Sequence, residues 1–145
     1  MLALMPAMNP ATAHPLHLSP IVAGLWRLSE WGLDAAGLQR WVEQALDLGL
    51  RPMIWSPLGR GRLFGAADEQ VRRVHAVLSD LGQARGVSVA TMAFAWILRH
   101  PAKPWPITGT GRLSALQEAV AALDVNLSAE DWYRVWEASM GHPVP

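Results

Sequence analysis

The chain has 145 residues, 51% hydrophobic and 17% charged, with twelve basic and twelve acidic side chains. That suffices for one domain with a real core, is too apolar for a disordered segment, and gives no electrostatic reason to expect nucleic acid or an anionic membrane as partner. It contains no cysteine, which excludes disulfides, thiolate nucleophiles and Cys-ligated zinc and is compatible with a cytoplasmic location.

Residues 1–19 read as a flexible lead-in. Their apolar start carries no Lys or Arg and is broken by prolines, unlike the basic and then unbroken apolar regions of a secretory signal. No run is long and apolar enough to span a bilayer, and no internal repeat is visible. "IVAGLW" (21–26) is short and β-branched and reads as a strand. Asp34 can cap the helix that follows, whose Leu38, Trp41, Val42, Ala45 and Leu46 share one face. Gly49 suits its C′ position. "PMIWS" (52–56) reads as a second strand, followed by a loop with Gly59, Gly61 and Gly65. From Ala67 to Arg85 the residues Val71, Val74, Leu78 and Leu81 recur at helical spacing, and Gly86 stops the helix. Ser88 caps "VATMAFAWILRH", apolar nearly all round and hence expected to be buried. "PWPIT" (104–108) reads as a third strand and is followed by "GTG" (109–111). Leu113, Leu116, Val120 and Leu123 mark an amphipathic helix. Ser128 with Asp131 resembles a capping box opening a last helix with Trp132, Val135 and Trp136. Strands alternating with helices, with glycine turns after the strands, point to parallel βα units, which bind ligands at the C-terminal ends of their strands.

Two stretches carry ligand-binding chemistry. In "WSPLGRGRL" (55–63) a Ser at a strand end, a turn-fixing Pro and glycines let the backbone approach an anion, and Arg60 and Arg62 add charge. An ordinary surface turn explains it equally well. In "ITGTGRLSALQEAV" (107–120) a strand, a Gly-Thr-Gly turn and a helix N-terminus suit a phosphate monoester, with Thr110 and Arg112 adding a hydroxyl and a guanidinium. A plain helix cap is the alternative, and the full dinucleotide fingerprint is absent. Trp26 and Arg27 follow the first strand and serve either a flat ligand or rim packing. The histidines show no metal-ligand spacing, so no metal site is assigned. "VRRVH" (71–75) reads as a solvated helix face, and the tryptophans as core.

At "WSPLGRGRLF", "PITGTGRLSALQEAV" and "DWYRVWEASMGHPVP", and at the opening "GLWRLSEWGLDAAGLQRWVEQALDLG", the chain resembles the aldo-keto reductases, in particular the bacterial branch of NADP(H)-dependent oxidoreductases. The resemblance implies an α/β fold, a partial (β/α)8 TIM barrel forming one domain over residues 20–145. Residues 20–50 resemble the first βα unit, and residues 51–145 the seventh and eighth units plus the C-terminal helix. Strands two to six have no counterpart, so the junction near Gly49–Arg51 would bridge an internal deletion. The three strands would lie in the order seven, eight, one, leaving open edges for self-association. The family's catalytic Asp, Tyr, Lys and His belong to the missing middle, so the resemblance assigns no catalytic residue. Tyr133 and Lys103, the sole residues of their types, lie on the terminal helix and at the wrong end of a strand. The implied cofactor is NADP(H), weakly held. Ser56, Leu58, Gly59 and Gly61 would meet the pyrophosphate. Gly109, Thr110, Gly111 and Arg112 would hold the 2′-phosphate, Glu118 would lie near the adenine, and Trp26 and Arg27 near the nicotinamide. Ala115 and Ala119 stand where relatives often carry polar side chains. An NADP(H)-binding oxidoreductase remnant inactive alone, and a non-catalytic interaction fragment, are the two functional expectations.

Overall fold

The computed structural model of the chain describes residues 30–65 and 68–145. The expected first strand at 21–26, Trp26, Arg27 and the lead-in lie outside the described residues. The first helix, α1 (Ala35–Asp47), begins where the Asp34 carboxylate accepts a hydrogen bond from the Gly37 N–H at 2.7 Å. It ends at Gly49, whose φ of 76° lets its N–H reach Leu46 O at 2.8 Å while Leu50 N–H reaches Ala45 O at 2.9 Å. Those two bonds are the left-handed helix stop that favours glycine, and they turn the chain into Arg51, Pro52 and strand β1. Among the described elements, α1 packs on no other helix or strand.

Strand β1 (Met53–Trp55) pairs in parallel with β2 (Trp105–Ile107), with Met53 opposite Trp105 and Trp55 opposite Ile107. The Trp105 N–H donates to Pro52 O at 2.8 Å, so Trp105 faces β1. Alternate residues of a strand face opposite neighbours, so Pro106 presents its donor-less nitrogen to the outer edge of β2.

The core lies among helices rather than beneath the sheet. Helix α2 (Glu69–Gln83), helix α3 (Val89–Arg99) and helix α5 (Ala129–Met140) pack around Leu78, Leu81, Met92, Ala93, Leu127 and Val135. Glycine at position 82 permits the close turn between α2 and α3, because a Cβ there would stand 2.7 Å from Val87 O. Ser88 then caps α3 by accepting from the Thr91 N–H at 3.1 Å. Helix α3 is buried along Ala90–Ala95 and at Ile97, as its apolar sequence requires. Trp96 of α3 and Trp132 of α5 exchange two hydrogen bonds, each indole N–H donating to the other's carbonyl at 2.9 and 3.0 Å, with their rings stacked 5.4 Å apart.

Three local readings change. The apolar row of helix α4 (Leu113–Ala121) and the 3₁₀ turn after it points outward, with Leu113, Val120 and Leu123 at 62%, 63% and 59% exposure. The fully buried residue of this segment is Ala122, which joins Phe94 and Ala95 of α3 with Ala119 packed alongside. Helical periodicity finds a stripe but does not say that this chain supplies its cover. The 71–75 stretch is not wholly a solvated face: Arg73 donates to Ala138 O at 3.1 Å, and Gln70 to Ser139 O at 2.8 Å, tying α2 to the end of α5. In the Ser128–Asp131 pair, Ser128 Oγ accepts from the Asp131 N–H at 3.0 Å. The Asp131 carboxylate bonds to Arg85 beyond α2. Burial pushes that carboxyl upward, but hydrogen bonds from Arg85 and Ser128 outweigh it and hold it below the usual range.

Candidate nucleotide-binding site

Both parallel strands deliver their C-terminal ends to one cavity of about 470 Å³. From β1 come Trp55 and the loop beyond it. Ser56 adopts a left-handed φ of 52° and accepts from the Gly59 N–H at 2.8 Å, closing a turn around Pro57 and Leu58. A 3₁₀ segment (Gly59–Phe64) follows, interrupted by Arg60 at φ 56° and Gly61 at φ 86°. From β2 come Ile107, Thr108, Gly109 and Thr110, and then Arg112, Ala115 and Glu118 at the start of α4. Ala90 and Phe94 of α3 complete the lining.

The charges are two guanidiniums against one carboxylate. The Arg60 guanidinium lies over the Trp55 ring, 4.3 Å from its centroid. The Arg112 side chain is exposed and does not cap its own helix, while its N–H donates to Thr110 Oγ1 at 3.1 Å. The backbone carbonyl of Glu118 accepts from the buried Thr91 hydroxyl at 3.0 Å, which fixes this turn of α4 against α3. A concave surface with a net positive lining, a helix N-terminus and an exposed indole is chemically suited to a molecule carrying phosphates and flat rings. Gly109 strengthens that fit. Its φ is not left-handed and a Cβ would meet nothing within 4 Å, so the protein's own packing does not call for glycine there. Its bare backbone leaves room for a ligand to come close.

Of the residues singled out from sequence, Ser56, Leu58, Gly61, Gly109, Thr110, Arg112 and Glu118 line this one cavity. Gly59 and Gly111 do not: Gly59 borders a separate apolar groove between α2, α3 and α5, and Gly111 stands outside the lining. Arg62 is likewise committed elsewhere, donating to Asp68 at 2.6 Å. That hydrogen bond and the Val71 N–H hold the Asp68 carboxyl below its usual range. The sequence reading missed Trp55, Phe64, Ile107, Ala90 and Phe94 as cavity residues. Trp55 and Ile107 carry a signal, as the last residues of strands that end in glycine-bearing loops. Phe94 carries none, because only the tertiary fold brings α3 to the strand ends. Tyr133 is 41% exposed on α5, and Lys103 lies before the N-terminal end of β2, opposite the cavity end. Among the described residues, no three His, Asp or Glu side chains gather to hold a metal ion, and no helix is long and apolar enough to cross a membrane.

The sequence profile described as "Aldo/keto reductase family" matches residues 33–139. The chain belongs to the aldo/keto reductase family. It is 39% identical over 104 residues to a 6-dehydroglucose reductase of Novosphingobium aromaticivorans, covering 72% of this chain and 34% of that one. It is 33% identical over 105 residues to the oxidoreductase YdhF of Escherichia coli, covering 72% and 35%. It is 31% identical over 118 residues to the uncharacterized oxidoreductase YcsN of Bacillus subtilis, covering 78% and 39%. The chain thus spans about a third of the length of these curated relatives. The family's fold is a TIM barrel, and a two-stranded parallel sheet with flanking helices is consistent with part of one. Aldo/keto reductases generally use NADP(H), and the lining described above fits such a nucleotide in charge, in bare backbone and in exposed ring surface.

Proposed function

We propose that this chain binds NADP(H) at the cavity between the two strand ends and does not by itself reduce carbonyl compounds. The observation that carries the reading is the convergence of both strand-end loops on one cavity with two guanidiniums and an unobstructed Gly109. Arg112, Thr110, Gly109 and the first N–H groups of α4 would hold the 2′-phosphate, Ser56, Leu58 and Gly61 the pyrophosphate, and Glu118 would lie beside the adenine. The nicotinamide supplies hydride when bound. The carbonyl oxygen also needs a proton, and neither Tyr133 nor Lys103 lies where it could deliver one. A missing general acid lowers the rate by a factor of about 10²–10⁴. We read the short connection from Gly49 to β1 as the bridge across absent middle strands. Titration of the chain with NADPH, followed by tryptophan fluorescence, should saturate, and should weaken with NADH and in Arg112→Ala. No quenching at millimolar NADPH would refute the binding, and turnover of a test aldehyde would refute the inactivity.

A second reading, an interaction fragment, draws on the exposed apolar row of α4 and on the sheet's small size. In that reading β1 is the better edge for pairing, since Pro106 removes a donor from the outer edge of β2. Light scattering during size-exclusion chromatography should then show mass rising with concentration. A monomer at all concentrations would remove this reading.

A further inference from the structure

Among the described residues the solvent-facing sides of most helices carry charge: Arg40, Glu43 and Asp47 on α1, Glu69, Arg72 and Asp80 on α2, Glu130 and Arg134 on α5. Helix α4 departs from this. Its one charged residue, Glu118, is half-buried and lines the nucleotide cavity, and Ala119 and the following Ala122 turn inward to Phe94 and Ala95 of α3. The outward side presents Leu113, Leu116, Val120 and Leu123, flanked by the exposed and uncharged Ser114, Gln117 and Ala121. An apolar row without charges around it has the composition of an interface centre, not of a solvated helix face. The row also has an internal symmetry. Its residues stand at intervals of three, four and three, the spacing of a helix-pairing seam. That spacing is a palindrome about position 118, so a second copy laid antiparallel sets Leu113 against Leu123 and Leu116 against Val120 along the whole row. Charges at its ends favour that direction. Arg112 stands at the N-terminal end and Asp124 at the C-terminal end, each opposed to the dipole of its own helix. Antiparallel alignment brings each of them to a partner end of opposite charge and dipole, whereas parallel alignment sets like ends together.

We propose that the α4 row is a twofold interface whose partner is a second copy of this chain, the two α4 helices running antiparallel. This rests on the interaction reading and names its surface and its partner. The competing surface, the edge of β1, offers three residues for pairing. The row is smaller than the roughly 800 Å² per partner of a standard interface, so the dimer forms weakly and reversibly. The nucleotide cavity takes a different side of α4, at Ala115 and Glu118, so pairing does not need the ligand.

Light scattering during size-exclusion chromatography should give wild type a mass that rises with concentration towards that of two chains. The twofold axis repeats every substitution, so Val120→Glu buries two carboxylates and should raise the dissociation constant by at least about 10-fold. Val120 is 63% exposed, so the melting midpoint of that variant in dilute solution should match wild type. Asp124→Arg, which makes both ends of the row positive, should also weaken the dimer, and more so at low salt. Crosslinking tests the geometry, because the chain has no cysteine of its own. Oxidising a mixture of Leu113→Cys and Leu123→Cys chains should give a mixed disulfide-linked dimer. Neither variant should crosslink alone, since antiparallel pairing holds equal positions about 15 Å apart along the axis. Self-crosslinking of Leu113→Cys would overturn the antiparallel arrangement. A wild-type dimer indifferent to Val120→Glu would overturn the α4 interface and leave the interaction reading to the β1 edge. A wild-type chain monomeric at every concentration would overturn both, and a Val120→Glu chain that then melts early would show the row covered within one chain.

Discussion

Gly82→Ala should destabilise the fold although it replaces glycine by the best helix former inside a helix. In an unobstructed helix that exchange stabilises by about 1 kcal/mol. Here the added methyl would stand 2.7 Å from Val87 O and 3.4 Å from Met92 Cγ. Ordinary contact begins near 3.4 Å, so the carbonyl must retreat by about 0.7 Å. It cannot move freely. Val87 N–H is bonded to Gly82 O at 2.9 Å, and the next residue, Ser88, caps α3. Displacing this corner shifts Met92, which is completely buried in the core. Overpacking of this kind costs about 1–3 kcal/mol; set against the propensity gain, the upper part of that range leaves a net loss of about 1–2 kcal/mol and lowers the melting midpoint by about 3–7 °C in a chain of this size. Circular dichroism melts of Gly82→Ala against wild type measure it directly. A raised midpoint would show that the α2–α3 corner is looser than the geometry requires, and the close-approach account of Gly82 would be wrong.

Other outcomes follow from the same geometry. Trp132→Phe and Trp96→Phe each remove an indole donor from a reciprocal pair and leave a carbonyl without it, at about 1–2 kcal/mol apiece by urea unfolding. Because the bonds are mutual, the double variant should lose less than the sum of the two, and strict additivity would refute the coupling. Gly141→Ala should lower stability by about 1 kcal/mol or more, since Gly141 has φ 77° and a Cβ would meet Arg73 Nη2 at 2.8 Å. His100 accepts from the Ala102 N–H through Nδ1 at 3.1 Å, and burial holds its pKa below 6.5. The unfolded chain therefore binds the proton more readily at this site, so the contribution of His100 to stability is complete above pH 6.5 and is lost as pH drops below it. His100→Asn, which keeps an acceptor but does not titrate, should flatten that part of the pH profile in denaturant midpoints. An unchanged profile would assign the slope to other groups.

The local punctuation of this chain was legible residue by residue. Asp34, Ser88 and Ser128 accept from helix N–H groups as their side-chain chemistry dictates, and Gly49 and Gly86 take the left-handed conformations that end helices. Much of the candidate site was legible for the same reason. Loops that follow parallel strands emerge on one side, so Ser56, Leu58, Gly61, Gly109, Thr110 and Arg112 were expected together and do line one cavity. What failed was direction. Gly59 and Arg62 sit in the same loop as Arg60, yet the first borders another groove and the second turns to Asp68. Left-handed residues at Arg60 and Gly61 redirect each neighbour, and loop sequence does not encode which way.

Sequence alone placed the described α-helices and the two paired strands to within about two residues, because caps, stops and apolar spacing act over a few residues, and its motifs at the strand ends carried the family resemblance. Only the tertiary structure decided that the core gathers among α2, α3 and α5, that the α4 stripe faces outward, and that Arg60 rests on Trp55 within the cavity. Those outcomes depend on which surfaces meet across tens of residues. Periodicity identifies a surface that could be buried, and packing selects the one that is.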